Sequence, residues 1–123
     1  MAPPISRILL VDDDEAFRYA ASKVLENAGF EVTVAPDYRR ALEVLESEAP
    51  IDLLVTDVVM PNRINGFALA RMARMRRLGL KVLYISAYEI QTDEAIGKIL
   101  NKPLSDDQFL IEVREALASP AVR

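Results

Sequence analysis

Two stretches of this chain, Ile8-Leu9-Leu10-Val11 and "IDLLVTD" at 51–57, are nearly continuous apolar runs too short for a buried helix. Runs of this kind suit central strands of a parallel sheet, which are covered on both faces and so lack the alternation of a half-wet strand. Each is followed in the chain by an amphipathic helical stretch. Residues 5–11 read as a strand and 15–28 as a helix with Phe17, Ala20, Ala21, Val24, Leu25 and Ala28 inward, stopped by Gly29. "FEVTVA" reads as a second strand, and Pro36-Asp37 opens a helix running to about Glu48 with Tyr38, Ala41, Leu42 and Leu45 inward. After strand 51–57, Gly66 to about Leu78 reads as a third helix and "LKVLYIS" as a fourth strand. Between Ser86 and Lys102 there is room for one or two helical turns, at Thr92–Ile96, before a short strand over Lys98–Asn101. Ser105 and Gln108 form a capping-box pattern ahead of a last helix with Phe109, Leu110, Val113, Ala116 and Leu117 inward, and "SPAVR" reads as a frayed tail. Alternating strands and helices with right-handed crossovers predict an α/β fold, a parallel sheet with helices on both faces.

At 123 residues the chain has the length of one domain, expected over 1–123 with its core at about 5–118. It has no cysteine, which excludes disulfides, thiolate nucleophiles and cysteine-held metals. It has no histidine, which excludes a Ser-His-Asp triad, histidine-ligated zinc and a phosphohistidine of its own. A metal here must be held by oxygen, which favours a hard cation such as Mg²⁺. No run of about 18 apolar residues and no basic-then-apolar leader is found, so the expectation is a cytoplasmic protein without a membrane partner. The net charge of −4 gives no reason to expect nucleic acid, and Arg71, Arg74, Arg76, Arg77 and Lys81 read as a solvated face. Met72 and Met75 read as gap-filling core residues.

Asp12, Asp13 and Asp14 follow the first strand directly. One aspartate suffices to cap a helix. Three in a row repel one another, and beside a low-dielectric strand end that is unfavourable without a cation. In doubly wound sheets the ligand site lies beyond the carboxyl ends of the strands. By that rule Asp12 and Asp13, Asp57, Ser86 and Lys102, each at or just past a strand end, share one rim.

The stretches "ILLVDDDEAFR", "DLLVTDVVMP", "YISA" and "LNKP", in this order at four predicted strand ends, resemble the receiver domain of two-component response regulators. The resemblance covers nearly the whole chain and implies a flavodoxin-like five-stranded parallel sheet in the order 2-1-3-4-5. It implies that Asp57 is a phosphoacceptor attacking the phosphohistidine of a sensor histidine kinase or phosphotransfer protein. Asp12, Asp13, Asp57 and the carbonyl of Val59 would hold Mg²⁺, with Asp13 the direct ligand and Asp12 acting through water, while Asp14 only caps the helix. Ser86 would bond a phosphoryl oxygen, and Lys102, across a cis bond to Pro103, would pair with the carboxylate and then with the phosphoryl group.

Three departures from the family pattern stand out. Ile99 occupies the position of the usual aromatic switch residue, the Ser86–Lys102 segment is short enough to truncate or remove the fourth helix, and "MPNRING" carries about one extra residue. The expectation is a stand-alone signalling module, not an enzyme, acting as a monomer or weak homodimer on a downstream protein target. A receiver excised from a hybrid kinase would read the same way. Two rivals are a receiver-fold binding module without phosphorelay and a Mg²⁺-dependent phosphatase with an aspartate nucleophile. The phosphatase is opposed by Glu15-Ala16, which does not continue that family's signature.

Overall fold

The structure is a computed structural model that describes residues 4–60 and 64–119. The elements run β1 (Arg7–Val11), α1 (Glu15–Asn27), β2 (Glu31–Ala35), α2 (Tyr38–Glu46), β3 (Leu53–Asp57), α3 (Gly66–Arg76), β4 (Lys81–Ser86), β5 (Lys98–Asn101) and α4 (Asp106–Ala118). The strands form one sheet in the order β2-β1-β3-β4-β5, every pair parallel. This is the order implied by the resemblance.

The two-residue period of a strand divides the core. Leu9, Val11, Leu54, Val82 and Tyr84 point to one face, where they pack with Ala41, Leu45, Phe67, Leu69 and Ala73 of α2 and α3. Ile8, Leu10, Leu53, Val55, Leu83 and Ile85 point to the other and pack with Ala21 and Leu25 of α1 and Phe109 and Val113 of α4. β3 is buried at all five positions, as its unbroken apolar run requires. The helix ends follow the local chemistry. Asp14, Asp37 and Ser105 cap α1, α2 and α4 through side-chain oxygens. Gly29, at φ 97°, ends α1, with its own N–H on the carbonyl of Glu26 and that of Phe30 on the carbonyl of Leu25.

Four expectations are corrected. Thr92–Ile96 forms no helical turn, and residues 87–97 contain no helix at all. The apolar residues that pack there, Ile90, Ala95 and Ile96, do not recur at helical spacing, and the Thr92 hydroxyl accepts the N–H of Glu94, a local bond that competes with a helix. The helix expected between β4 and β5 is therefore absent, and the N–H of Ile96 donates to the buried hydroxyl of Tyr84 at 3.3 Å. The capping box at α4 is half formed: the N–H of Gln108 donates to Ser105 Oγ, but the Gln108 side chain donates to Glu112 Oε2 and does not accept the N–H of Ser105. The basic run is not simply solvated. Arg74 donates twice to the carbonyl of Leu80, and Arg77 donates to those of Leu45 and Ser47, closing the carboxyl end of α2. Met75 is 80% exposed and fills no core gap.

Candidate functional site

Parallel pairing brings the carboxyl ends of β1, β3, β4 and β5 to one edge, and the backbone then fixes the loops that leave it. The N–H of Asp12 reaches the carbonyl of Ala35, that of Val58 the carbonyl of Ile85, and that of Lys102 the carbonyl of Ser86. The five residues singled out from the sequence, Asp12, Asp13, Asp57, Ser86 and Lys102, all stand on this rim. Asp12 is 1%, Ser86 0% and Asp57 8% exposed, whereas Asp13 lies open beside them. Carboxylate oxygens of Asp12, Asp13 and Asp57 lie within 4.8 Å of one another.

Each carboxylate has a different environment. Asp12 Oδ1 accepts the N–H of Asp14 at 2.9 Å, and Oδ2 accepts the Lys102 ammonium at 2.9 Å. The Lys102–Pro103 bond is cis, as the resemblance implied. The lysine, however, pairs with Asp12 and not with Asp57, because Oδ2 is the second oxygen of a nearly dry carboxylate and requires a charged donor. Burial, first, and then the neighbouring charge of Asp12 push the Asp57 carboxyl from the usual 3.8 up to about 6; Lys102 and the N–H of Val59 pull it back, and Asp13 adds to the rise. Asp14 accepts the N–H groups of Ala16 and Phe17 and is the cap of α1.

Ser86 Oγ accepts the N–H of Tyr88 at 3.0 Å, and the carbonyl of Tyr88 accepts the side-chain amide of Asn101 at 2.8 Å. Tyr88 is thus held through both its backbone polar groups; it is 64% exposed, and Val59, two residues after Asp57, is 52% exposed. Residues 61–63 of the loop after Val59, where an extra residue was expected, lie outside the described residues. Behind Asp57 the start of α3 approaches so closely that a β-carbon on Gly66 would stand 2.3 Å from the Asp57 carbonyl oxygen.

Three contributors escaped the sequence reading. Phe17, read as core, presents its ring to the Lys102 ammonium at 4.2 Å from the ring centroid. Arg18 donates to the carbonyl of Asp12 at 2.7 Å and steadies the acidic loop. Asn101 stands next to Lys102 but carries no motif signal of its own.

The donor set fits a hard divalent cation, since it is all oxygen, strongly negative and converges on one point. A nearly buried carboxylate beside such a point can act as a nucleophile toward an electrophile whose charge the cation offsets.

Comparison with known proteins gives one answer. Residues 8–114 match the family model described as the response regulator receiver domain. The chain is 32% identical over 130 residues to the alkaline phosphatase synthesis transcriptional regulatory protein SphR of Synechococcus elongatus, covering 94% of this chain and 50% of that one. It is 34% identical over 119 residues to the response regulator receiver protein CpdR of Brucella abortus, covering 92% of this chain and 98% of that one. The solved receiver domain of the hybrid histidine kinase CckA superposes with a TM-score of 0.81 at 36% identity, covering 91% of this chain and 99% of that one. The chain spans about half the length of several of the curated relatives it matches. Among the described residues no helix is long and apolar enough to cross a membrane.

Proposed function

The chain belongs to the response regulator receiver domain family, and from that premise we propose that it is a phosphoacceptor signalling module in which Asp57 takes a phosphoryl group from the phosphohistidine of a sensor histidine kinase or phosphotransfer protein. The observation that carries the reading is Asp57 itself: a carboxylate 8% exposed, with oxygens of Asp12 and Asp13 within 4.8 Å and a lysine bound to Asp12 on the same rim.

A carboxylate oxygen of Asp57 attacks phosphorus in line with the leaving imidazole nitrogen. The P–N bond breaks as the P–O bond forms, and the histidine nitrogen keeps the electron pair and takes up a proton. Little covalent assistance is needed, so the residues act by positioning and charge. Asp13, Asp57 and the Val59 carbonyl would hold Mg²⁺, with Asp12 acting through water, and the bound cation would supply positive charge toward the phosphoryl oxygens. The Ser86 hydroxyl, which accepts from the N–H of Tyr88, keeps its own hydrogen for a phosphoryl oxygen. Lys102 supplies the second positive charge. Signalling to a downstream protein then proceeds without the usual aromatic residue, because Ile99 stands there and residues 87–97 form a strap rather than a helix.

The test is mass spectrometry after treatment with acetyl phosphate. One added phosphoryl group is expected, lost with chelator and lost in Asp57→Asn. Uptake that persists in Asp57→Asn puts the nucleophile elsewhere, and absence of uptake in the unaltered protein favours a binding module that has kept only the fold.

A further inference from the structure

Lys102 is held by two partners of different kinds. One is an oxygen of Asp12 at 2.9 Å, and the other is the face of Phe17 at 4.2 Å. Asp12 Oδ1 is already engaged by the N–H of Asp14, so Oδ2 is the oxygen for which the ammonium and a cation, or a water bound to it, compete. An ammonium on a flexible four-carbon stem that loses this oxygen would swing into water unless something else retains it. The Phe17 ring attracts a cation through its quadrupole yet carries no charge, so it neither competes for the metal nor repels an incoming phosphoryl group.

We propose that Phe17 is a positioning residue that keeps the Lys102 ammonium at the rim when a divalent cation, or a water bound to it, takes its place on Asp12, so that the lysine is available to the phosphoryl group; the inference rests on the phosphoacceptor reading above.

The ring is well placed for this. Its backbone N–H is fixed by Asp14 Oδ1 at 3.2 Å, and the N–H of Asp14 is in turn fixed by Asp12 Oδ1, so ring and acidic loop are tied through one short chain of bonds. On its other side Phe17 packs against the α1–α4 core and shares a groove with Leu104 and Phe109.

The test compares Phe17→Leu, which keeps an apolar side chain of similar bulk, with Phe17→Tyr, which keeps the ring face. In the unaltered protein and in Phe17→Tyr, the ε-methylene protons of Lys102 should be shifted upfield in the NMR spectrum by the ring, with and without Mg²⁺. In Phe17→Leu that shift should vanish, and phosphoryl uptake from acetyl phosphate at saturating Mg²⁺ should slow by about fivefold. Mg²⁺ affinity, measured by calorimetry without any phosphodonor, should be no weaker in Phe17→Leu, since the ring touches the lysine and not the metal ligands. Full uptake in Phe17→Leu, failure of Phe17→Tyr to restore it, or Mg²⁺ affinity falling together with uptake would each overturn the proposal. Should the unaltered protein take up no phosphoryl group, the phosphoacceptor reading fails by itself, and the Lys102 proton shift still decides whether Phe17 holds the ammonium.

Discussion

The ammonium of Lys102 and Oδ2 of Asp12, ninety positions apart in the chain, stand 2.9 Å from each other across the rim of the sheet. Asp12 is 1% exposed, and the carboxylates of Asp13 and Asp57 are close by, so this pair is what neutralises the acidic cluster before any metal arrives. Removing one partner of a buried pair leaves an uncompensated charge. Lys102→Met should therefore destabilise the metal-free protein by about 3 kcal/mol. Urea unfolding with and without Mg²⁺ checks this: the metal should restore more stability to the variant than it adds to the unaltered protein, because the cation replaces the lost ammonium.

The raised Asp57 carboxyl makes a distinct expectation for pH. Its pKa is about 6 folded against an ordinary 3.8, so between pH 4 and 6 the native state holds a proton that the unfolded chain has released. Stability of the metal-free protein should then fall as pH rises through that window, by about 1 to 3 kcal/mol. Asp57→Asn removes the titration and should be the more stable protein at pH 7 without metal, with the gap closing below pH 4. Thermal unfolding in a pH series reads this directly, and an unaltered protein that gains stability from pH 4 to 6 relative to Asp57→Asn would contradict it.

Gly66 is required by space rather than by backbone freedom. A β-carbon there would meet the Asp57 carbonyl oxygen at 2.3 Å and the Val58 α-carbon at 3.0 Å, both backbone atoms that cannot swing aside. Gly66→Ala must push the start of α3 away from β3, breaking the 2.7 Å bond from its N–H to the carbonyl of Val58. A loss of about 1 to 3 kcal/mol is expected. Since the shift acts on the backbone of Asp57 and Val58, phosphoryl uptake should fall even at temperatures where the variant remains folded, measured beside its circular dichroism.

Arg77 offers a control far from the rim. Its guanidinium donates to the carbonyls of Leu45 at 3.1 Å and Ser47 at 2.8 Å, satisfying groups that the end of α2 leaves open. Arg77→Met should cost about 1.5 to 3 kcal/mol in urea unfolding. Phosphoryl uptake should not change, which separates stability from site geometry.

The sheet and the rim were legible because they rest on features a sequence displays directly: apolar runs without alternation, and charged or hydroxyl residues at their ends. What stayed hidden depends on which neighbour a side chain meets. Glu112 sits on the inward stripe of α4, 6% exposed, where Gln108 and Lys98 satisfy its oxygens, and no pattern distinguishes it from a solvated glutamate. Arg74 and Arg77 look like any basic helix face until the carbonyls of neighbouring segments fall within reach. The resemblance implied that Lys102 pairs with the Asp57 carboxylate, yet it rests on Asp12, because Asp12 just past β1 and Phe17 of α1 share it, and that sharing is a property of the packed rim. Length alone leaves room for a helical turn at Thr92–Ile96, but Ile90, Ala95 and Ile96 do not recur at helical spacing, and the segment is a strap.

The lifetime of the phosphorylated state should be governed at Val59 and Tyr88. Hydrolysis needs a water held in line with the Asp57 carboxylate as leaving group. Val59 has no polar side-chain atom to hold it, and Tyr88 is anchored at the rim by Ser86 Oγ on one side and Asn101 Nδ2 on the other. Loss of phosphoryl-Asp57 should accordingly be slow without a partner phosphatase. Val59→Asn combined with Tyr88→Ala supplies a donor and clears the approach, and should shorten the lifetime about tenfold, equivalent to about 1.4 kcal/mol of barrier. Asn101→Val keeps the Tyr88 side chain but releases its carbonyl, so it should shorten the lifetime by a smaller factor. Following phosphoryl-Asp57 over time by mass spectrometry in the three proteins orders them, and a double variant that decays no faster than the unaltered protein would mean that water reaches phosphorus by a route that these two side chains do not guard.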